Sequence, residues 1–251
     1  MQDIFVGDTG SGTPLVFVHG FLGSTDMWSP QIEYFKEYYR ILTPALPGFG
    51  KSKTLKSCDT IECMAKAILK SLEKKKVERF YLLGNSMGGM IVQEIAKLAG
   101  KKILKLICYG TGPSGNIPGR FETIDQSRKN LKINGLESTA YRIAKTWFIE
   151  EDKAKYFYLC ENAGKQTSIE AADNGLIAMK NWSGVDNLKN IKNKTLIIWG
   201  DKDKAYNYKQ IKTLNNIPDS ELRIVPGCSH NVHLEKPEEF NKILAEFLRR
   251  D

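Results

Sequence analysis

Gly84-Asn85-Ser86-Met87-Gly88-Gly89 stands between an apolar run, Phe80 to Leu83, and a helical pattern that begins at Met90. A serine framed as G-x-S-x-G between strand and helix forces a turn so sharp that its backbone is strained and its hydroxyl faces outward. Gly84 and Gly88 flank Ser86 where a side chain would collide with the crossing backbone, and Gly89 adds slack. The turn also leaves N–H groups at a helix start aimed at whatever the serine attacks. A plain glycine-rich connection is the alternative reading, and residues elsewhere in the chain decide between the two.

Outward from this turn, strand and helix signals alternate. Leu15 to His19, Arg40 to Thr43, Arg79 to Leu83 and Ile103 to Tyr109 read as short strands, with helical patterns over Asp26 to Tyr39 and from Ile61 to Leu72. Asp59 and Glu62 precede the second helix with the spacing of a capping box. Ile91, Val92, Ile95, Leu98 and Ala99 keep helical spacing after the serine. Strands separated by helices of this length predict a parallel sheet, because parallel neighbours need a long crossover. The rhythm breaks after Gly110-Thr111-Gly112-Pro113 and resumes with strands at Thr195 to Trp199 and Glu221 to Val225. The stretch between is helical and aromatic, with Phe121, Tyr141, Trp147, Phe148, Tyr156, Phe157, Tyr158 and Trp182. Residues 1–112 and 192–251 are thus expected to form an α/β core, with 113–191 a helical insertion over one edge of the sheet. Pro237 is expected in the first turn of a final amphipathic helix.

Composition narrows the classes. At 251 residues, 41% hydrophobic and 26% charged, the chain is ordinary for one soluble α/β domain. No apolar stretch approaches a membrane span, and the start MQDIFVGDTGSGTP lacks the features of a signal peptide. Cys58, Cys63, Cys108, Cys160 and Cys228 form no C-x-x-C pair, so neither a disulfide framework nor a zinc site is expected, and a reducing cytoplasm is. The net charge of +8 is spread along the chain instead of gathered with aromatics on one face, which argues against a nucleic-acid partner. Gly50-Lys51-Ser52 ends like a P-loop, but Ala45 occupies the position of its opening glycine, so no nucleotide cofactor is expected.

A serine hydroxyl needs a base to become a nucleophile, and histidine is the usual one. His19 ends a strand and is expected to order the loop that follows. His230, in Gly227-Cys228-Ser229-His230 after the last strand, falls at the same sheet edge as Ser86, since both follow strand C-termini. His233 is expected to pack nearby. The imidazole needs a carboxylate to orient it, and Trp199-Gly200-Asp201-Lys202-Asp203 supplies one. Asp203 is expected to reach His230, and Asp201 to cap the turn. For the oxyanion, the expected donors are the N–H of Met87 and that of Phe21, in the loop His19-Gly20-Phe21-Leu22-Gly23. The chain order Ser, Asp, His suits a serine elbow.

HGF at His19 to Phe21, PGFGKS at Pro47 to Ser52, GNSMGG, WGDKD and SH-x-x-H-x-E-x-P at Ser229 to Pro237 together resemble the α/β-hydrolase superfamily over nearly the whole chain outside the insertion. The resemblance implies a mostly parallel twisted sheet flanked by helices, a helical lid, and hydrolysis through an acyl-enzyme with no cofactor. The expected substrate is a small carboxylic ester or related acyl compound, with the aromatic lid favouring apolar parts. GNSMGG is also similar to the hydrolases of meta-ring-fission products, which break carbon–carbon bonds. Where those carry tryptophan after the catalytic histidine, this chain has Asn231. Enol-lactonases are similar too, and a non-catalytic ligand receptor on the same scaffold is a third class. Haloalkane dehalogenases and epoxide hydrolases place aspartate where this chain has Ser86.

Overall fold

Strands that are apolar on both sides must be covered on both sides, and that requirement organises this molecule. The computed structural model describes residues 3–115 and 118–250. Among them seven strands form one sheet: β1 (Val6–Thr9), β2 (Pro14–Val18), β3 (Arg40–Pro44), β4 (Phe80–Asn85), β5 (Ile103–Tyr109), β6 (Thr195–Gly200) and β7 (Ser220–Val225). Their order is β1-β3-β2-β4-β5-β6-β7, parallel throughout except for the antiparallel β1–β3 pair.

The helices are α1 (Ser29–Phe35), α2 (Ile61–Lys74), α3 (Met87–Ala99), α4 (Ile124–Lys145), α5 (Phe157–Lys165), α6 (Ile169–Asn181), α7 (Tyr208–Leu214), α8 (Val232–Glu235) and α9 (Pro237–Arg249). Alternate residues of each central strand enter opposite cores. Val16, Val18, Leu82 and Leu106 pack with Ile68 of α2 and Ile91 of α3. Leu15, Phe17, Leu83 and Ile107 pack with Phe35 of α1 and with Phe240, Leu244 and Phe247 of α9. Each such side chain contributes about 1.5–3 kcal/mol on burial, which holds the helices on both faces of the sheet. Every parallel strand then delivers its C-terminal end to one rim of the sheet. That rim collects Val18, Asn85, Tyr109, Gly200 and Val225.

Several expectations need correction. The helix expected over Asp26 to Tyr39 is a 3₁₀ turn at Thr25–Trp28 followed by α1. Pro30 explains the break: without an N–H, proline is tolerated only in a first turn, so the helix restarts there. The cap of α2 is Thr60, whose side chain accepts from Cys63 N, rather than Asp59. Strand β1 carries only four residues, none buried, so it left no apolar signal. Cys58 and Cys63 form a disulfide, with Cα atoms 5.8 Å apart. The loop before α2 turns back on the helix's first turn, bringing together two cysteines whose spacing is not a C-x-x-C. The cytoplasmic expectation thereby loses its cysteine argument. Among the described residues no helix is long and apolar enough to cross a membrane.

Candidate active site

Ser86 sits between β4 and α3 at φ 56° and ψ −118°, a conformation that costs a non-glycine residue roughly 1–3 kcal/mol. Its neighbours make the turn possible. A Cβ on Gly84 would lie 2.2 Å from the Gly88 carbonyl oxygen, and one on Gly88 would lie 2.4 Å from that of Val18. The Ser86 N–H donates to Tyr109 O at 2.9 Å, so the end of β5 fixes the turn. Thr111 Oγ1 donates to Ser86 O at 2.8 Å.

The loop after β7 carries His230, and the loop after β6 carries Asp203. His230 Nδ1 meets Asp203 Oδ2 at 2.8 Å, with both side chains almost wholly buried (2% and 0% exposed). The second oxygen, Oδ1, accepts from Ala205 N at 2.7 Å and Tyr206 N at 3.2 Å. An ionised carboxylate only accepts, so the imidazole proton belongs on Nδ1 and the lone pair on Nε2. Asp201 instead accepts from Gly227 N at 2.7 Å, tying the two loops together. Glu235 braces the histidine loop from behind, accepting from Ser229 N and Ile149 N, each at 2.6 Å, and burial raises its carboxyl pKa.

The oxyanion candidates lie on either side of the serine. Met87 opens α3, and the first N–H groups of a helix have no intrahelical acceptor. A Cβ on Gly20 would come within 3.0 Å of Ser86 Cβ, so the backbone leading into Phe21 runs against the nucleophile.

His19 is fully buried, and its pKa is lowered to about 4 by that burial. Its Nε2 accepts from Leu46 N at 3.1 Å and its Nδ1 contacts Gly20 O at 2.9 Å, which orders the loop around Phe21. His233 packs on Trp28 and meets Tyr109 Oη at 3.0 Å through Nδ1. Burial lowers its pKa to about 3.

The sequence did not single out Tyr206. Its ring stacks on His230 with centroids 5.8 Å apart, only 2% of it is exposed, and its hydroxyl interacts with those of Ser86 and Thr111. Burial pushes its phenol up to about 12, so it remains a donor. Three residues beyond Asp203, nothing in its type or spacing distinguishes it from the other tyrosines. Among the described residues no cluster of three or more His, Cys, Asp or Glu could hold a metal.

The family model for the alpha/beta hydrolase fold matches residues 13–237. The chain belongs to the α/β-hydrolase fold family. Within that family it is 25% identical to the 2-hydroxy-6-oxononadienedioate/2-hydroxy-6-oxononatrienedioate hydrolase of Comamonas testosteroni, over 98% of this chain and 91% of that protein. It is 28% identical to the pimeloyl-[acyl-carrier protein] methyl ester esterase of Wigglesworthia glossinidia brevipalpis, over 100% and 99%. Among solved α/β hydrolases it superposes on an esterase from Exiguobacterium antarcticum with a TM-score of 0.90 at 25% identity, covering 98% of this chain and 96% of that one. An enol-lactonase from Burkholderia xenovorans shares the fold with a TM-score of 0.89 at 21% identity, covering 98% and 96%. Family and relatives together support a hydrolase.

Proposed function

We propose that this α/β hydrolase is a serine esterase that cleaves a small carboxylic ester or related acyl compound through an acyl-enzyme. The observation that carries the reading is the buried 2.8 Å contact between His230 Nδ1 and Asp203 Oδ2, on loops that leave the same rim of the sheet as Ser86. In this scheme His230 Nε2 takes the Ser86 proton as Oγ attacks the carbonyl carbon. Asp203 holds the ring in the right tautomer and stabilises the imidazolium. The N–H groups of Phe21 and Met87 receive the charge that builds on the carbonyl oxygen. Collapse breaks the ester C–O bond, and His230 protonates the departing alcohol. Water, deprotonated by the same imidazole, then releases the acid and restores Ser86. The helical stretch 113–191 serves as the lid, and α6 supports this by packing Gly175 against the Phe21 ring.

A fluorophosphonate probe, which reacts with activated serines, should label the wild type and spare Ser86→Ala. Equal labelling of both would remove the assignment. The hydrolase of an oxo-dienedioate among the relatives favours a second reading, carbon–carbon cleavage of a ring-fission product by the same three residues. Parallel assays on such a compound and on short p-nitrophenyl esters separate the two.

A further inference from the structure

The bond between Cys58 and Cys63 spans only five positions, so it constrains little of the unfolded chain and acts locally. It ties the irregular stretch 56–58 to the first turn of α2, where Thr60 already caps the helix by accepting from Cys63 N at 3.2 Å. What the bond adds is the placing of the residues just before the helix, above all Ser57. Cys58 is buried, but Cys63 is partly exposed, and both line a cleft of about 480 Å³ with Pro47, Leu55 and Lys56. A small thiol therefore has a path to the bond. Cys108, Cys160 and Cys228 are buried free thiols, so a reductant has no other disulfide to open.

Ser57 is where this loop grips the helical stretch 113–191. Its hydroxyl donates to Glu170 Oε1 at 2.9 Å and accepts from Asn174 Nδ2 at 2.8 Å. Glu170 and Asn174 stand four positions apart on α6 and share one face of it. The start of α6 is held a second time, where Ser168 N donates to Gly48 O at 2.9 Å. A Cβ on Gly48 would lie 2.3 Å from Ala171 Cβ, so the helix is seated close on the loop. One turn further, a Cβ on Gly175 would lie 3.2 Å from the Phe21 ring. A continuous path of contacts thus runs from the two sulfurs through Ser57 and α6 to the loop that carries a candidate oxyanion donor.

We infer that the Cys58–Cys63 bond is a redox-operated anchor for the lid: while it is formed, Ser57 holds α6 over Phe21, and its reduction by a dithiol releases α6 and lowers turnover. The exchange balances within the two thiol pairs. One thiolate of the dithiol attacks Sγ of Cys63 and displaces the Cys58 thiolate, and its second thiolate then displaces Cys63 from the mixed disulfide. The dithiol leaves as a cyclic disulfide, and its two protons pass to Cys58 and Cys63. The inference rests on the lid and esterase readings above, so one of its two measurements does not use turnover.

Wild type, the double variant Cys58→Ser/Cys63→Ser, and Ser57→Ala are each measured oxidised and after treatment with dithiothreitol. Deuterium uptake, followed by mass spectrometry, reads the amides of α6 and, for reference, those of α9, while hydrolysis of p-nitrophenyl acetate reads the site. Reduction of wild type should speed exchange in α6 at least tenfold and leave α9 as it was. It should also lower kcat/KM at least threefold, and both changes should reverse on reoxidation with oxidised glutathione. The double variant should match reduced wild type and ignore dithiothreitol. Ser57→Ala should show fast α6 exchange in both states although its disulfide forms, which a bond that only stiffens its own loop would not produce. A bond that resists dithiothreitol, faster exchange confined to 55–66, or a response that survives in either variant would each overturn the anchor. Redox-dependent exchange in α6 without ester turnover would leave the anchor standing and end the esterase reading. Ester turnover indifferent to redox state, with α6 unchanged, would do the reverse.

Discussion

Asp203 is committed at both oxygens, one to His230 and one to the backbone of its own loop, so its geometry is set before any ligand arrives. Asp203→Asn keeps that shape but turns an acceptor into an amide that can donate toward Nδ1, favouring the wrong tautomer. By analogy with other triads, kcat should fall roughly 10⁴-fold with KM little altered. Steady-state kinetics on the preferred ester check this, and a loss below tenfold would count against Asp203 as the orienting group. The strained turn at Ser86 and the meeting of His230 with Asp203 were legible because parallel topology dictates where strand ends come together. Tyr206 was not legible. Its significance comes from burial and from stacking on His230, and neither leaves a mark on residue type or spacing.

At the scale of elements, the apolar strands and long amphipathic helices could be read because burial on one or two faces imposes a period. Helix starts were harder, since a cap depends on one side chain's geometry. Thr60 in place of Asp59 at the start of α2 is the example. Thr60→Ala should therefore lower stability by about 1 kcal/mol, whereas Asp59→Ala should change it little. Urea midpoints of the two variants decide the matter, and an equal shift in both would refute the assignment of the cap. The Cys58–Cys63 bond was invisible for a related reason: it depends on a loop reversing onto the helix, a path that cysteine spacing does not encode.

For the whole molecule, two histidines buried without charge make stability depend on pH. His19 and His233 titrate near 6.5 when unfolded, but only at about 4 and about 3 in the fold. Between these limits the unfolded chain binds more protons, so stability present at neutral pH is lost as pH falls below 6.5. Each histidine removes up to about 1.4 kcal/mol per pH unit, and Glu235, shifted upward, offsets part of this at the acid end. Urea midpoints should drop between pH 7 and pH 5, with a shallower slope in His19→Gln. A flat profile would contradict the burial of both rings as neutral species.

The two outer strands carry a different consequence. β1 is short, and its Asp8 is held by Arg40 and Lys75; β7 is half exposed, with Glu221 bonded to Arg250 and Arg223 alongside. Another backbone docking on either margin would have to displace these solvated charges, so the ladder is discouraged from growing into a neighbouring molecule. Resistance to clumping in concentrated solution is thus written into the borders of the sheet, away from the rim that gathers Ser86, Asp203 and His230.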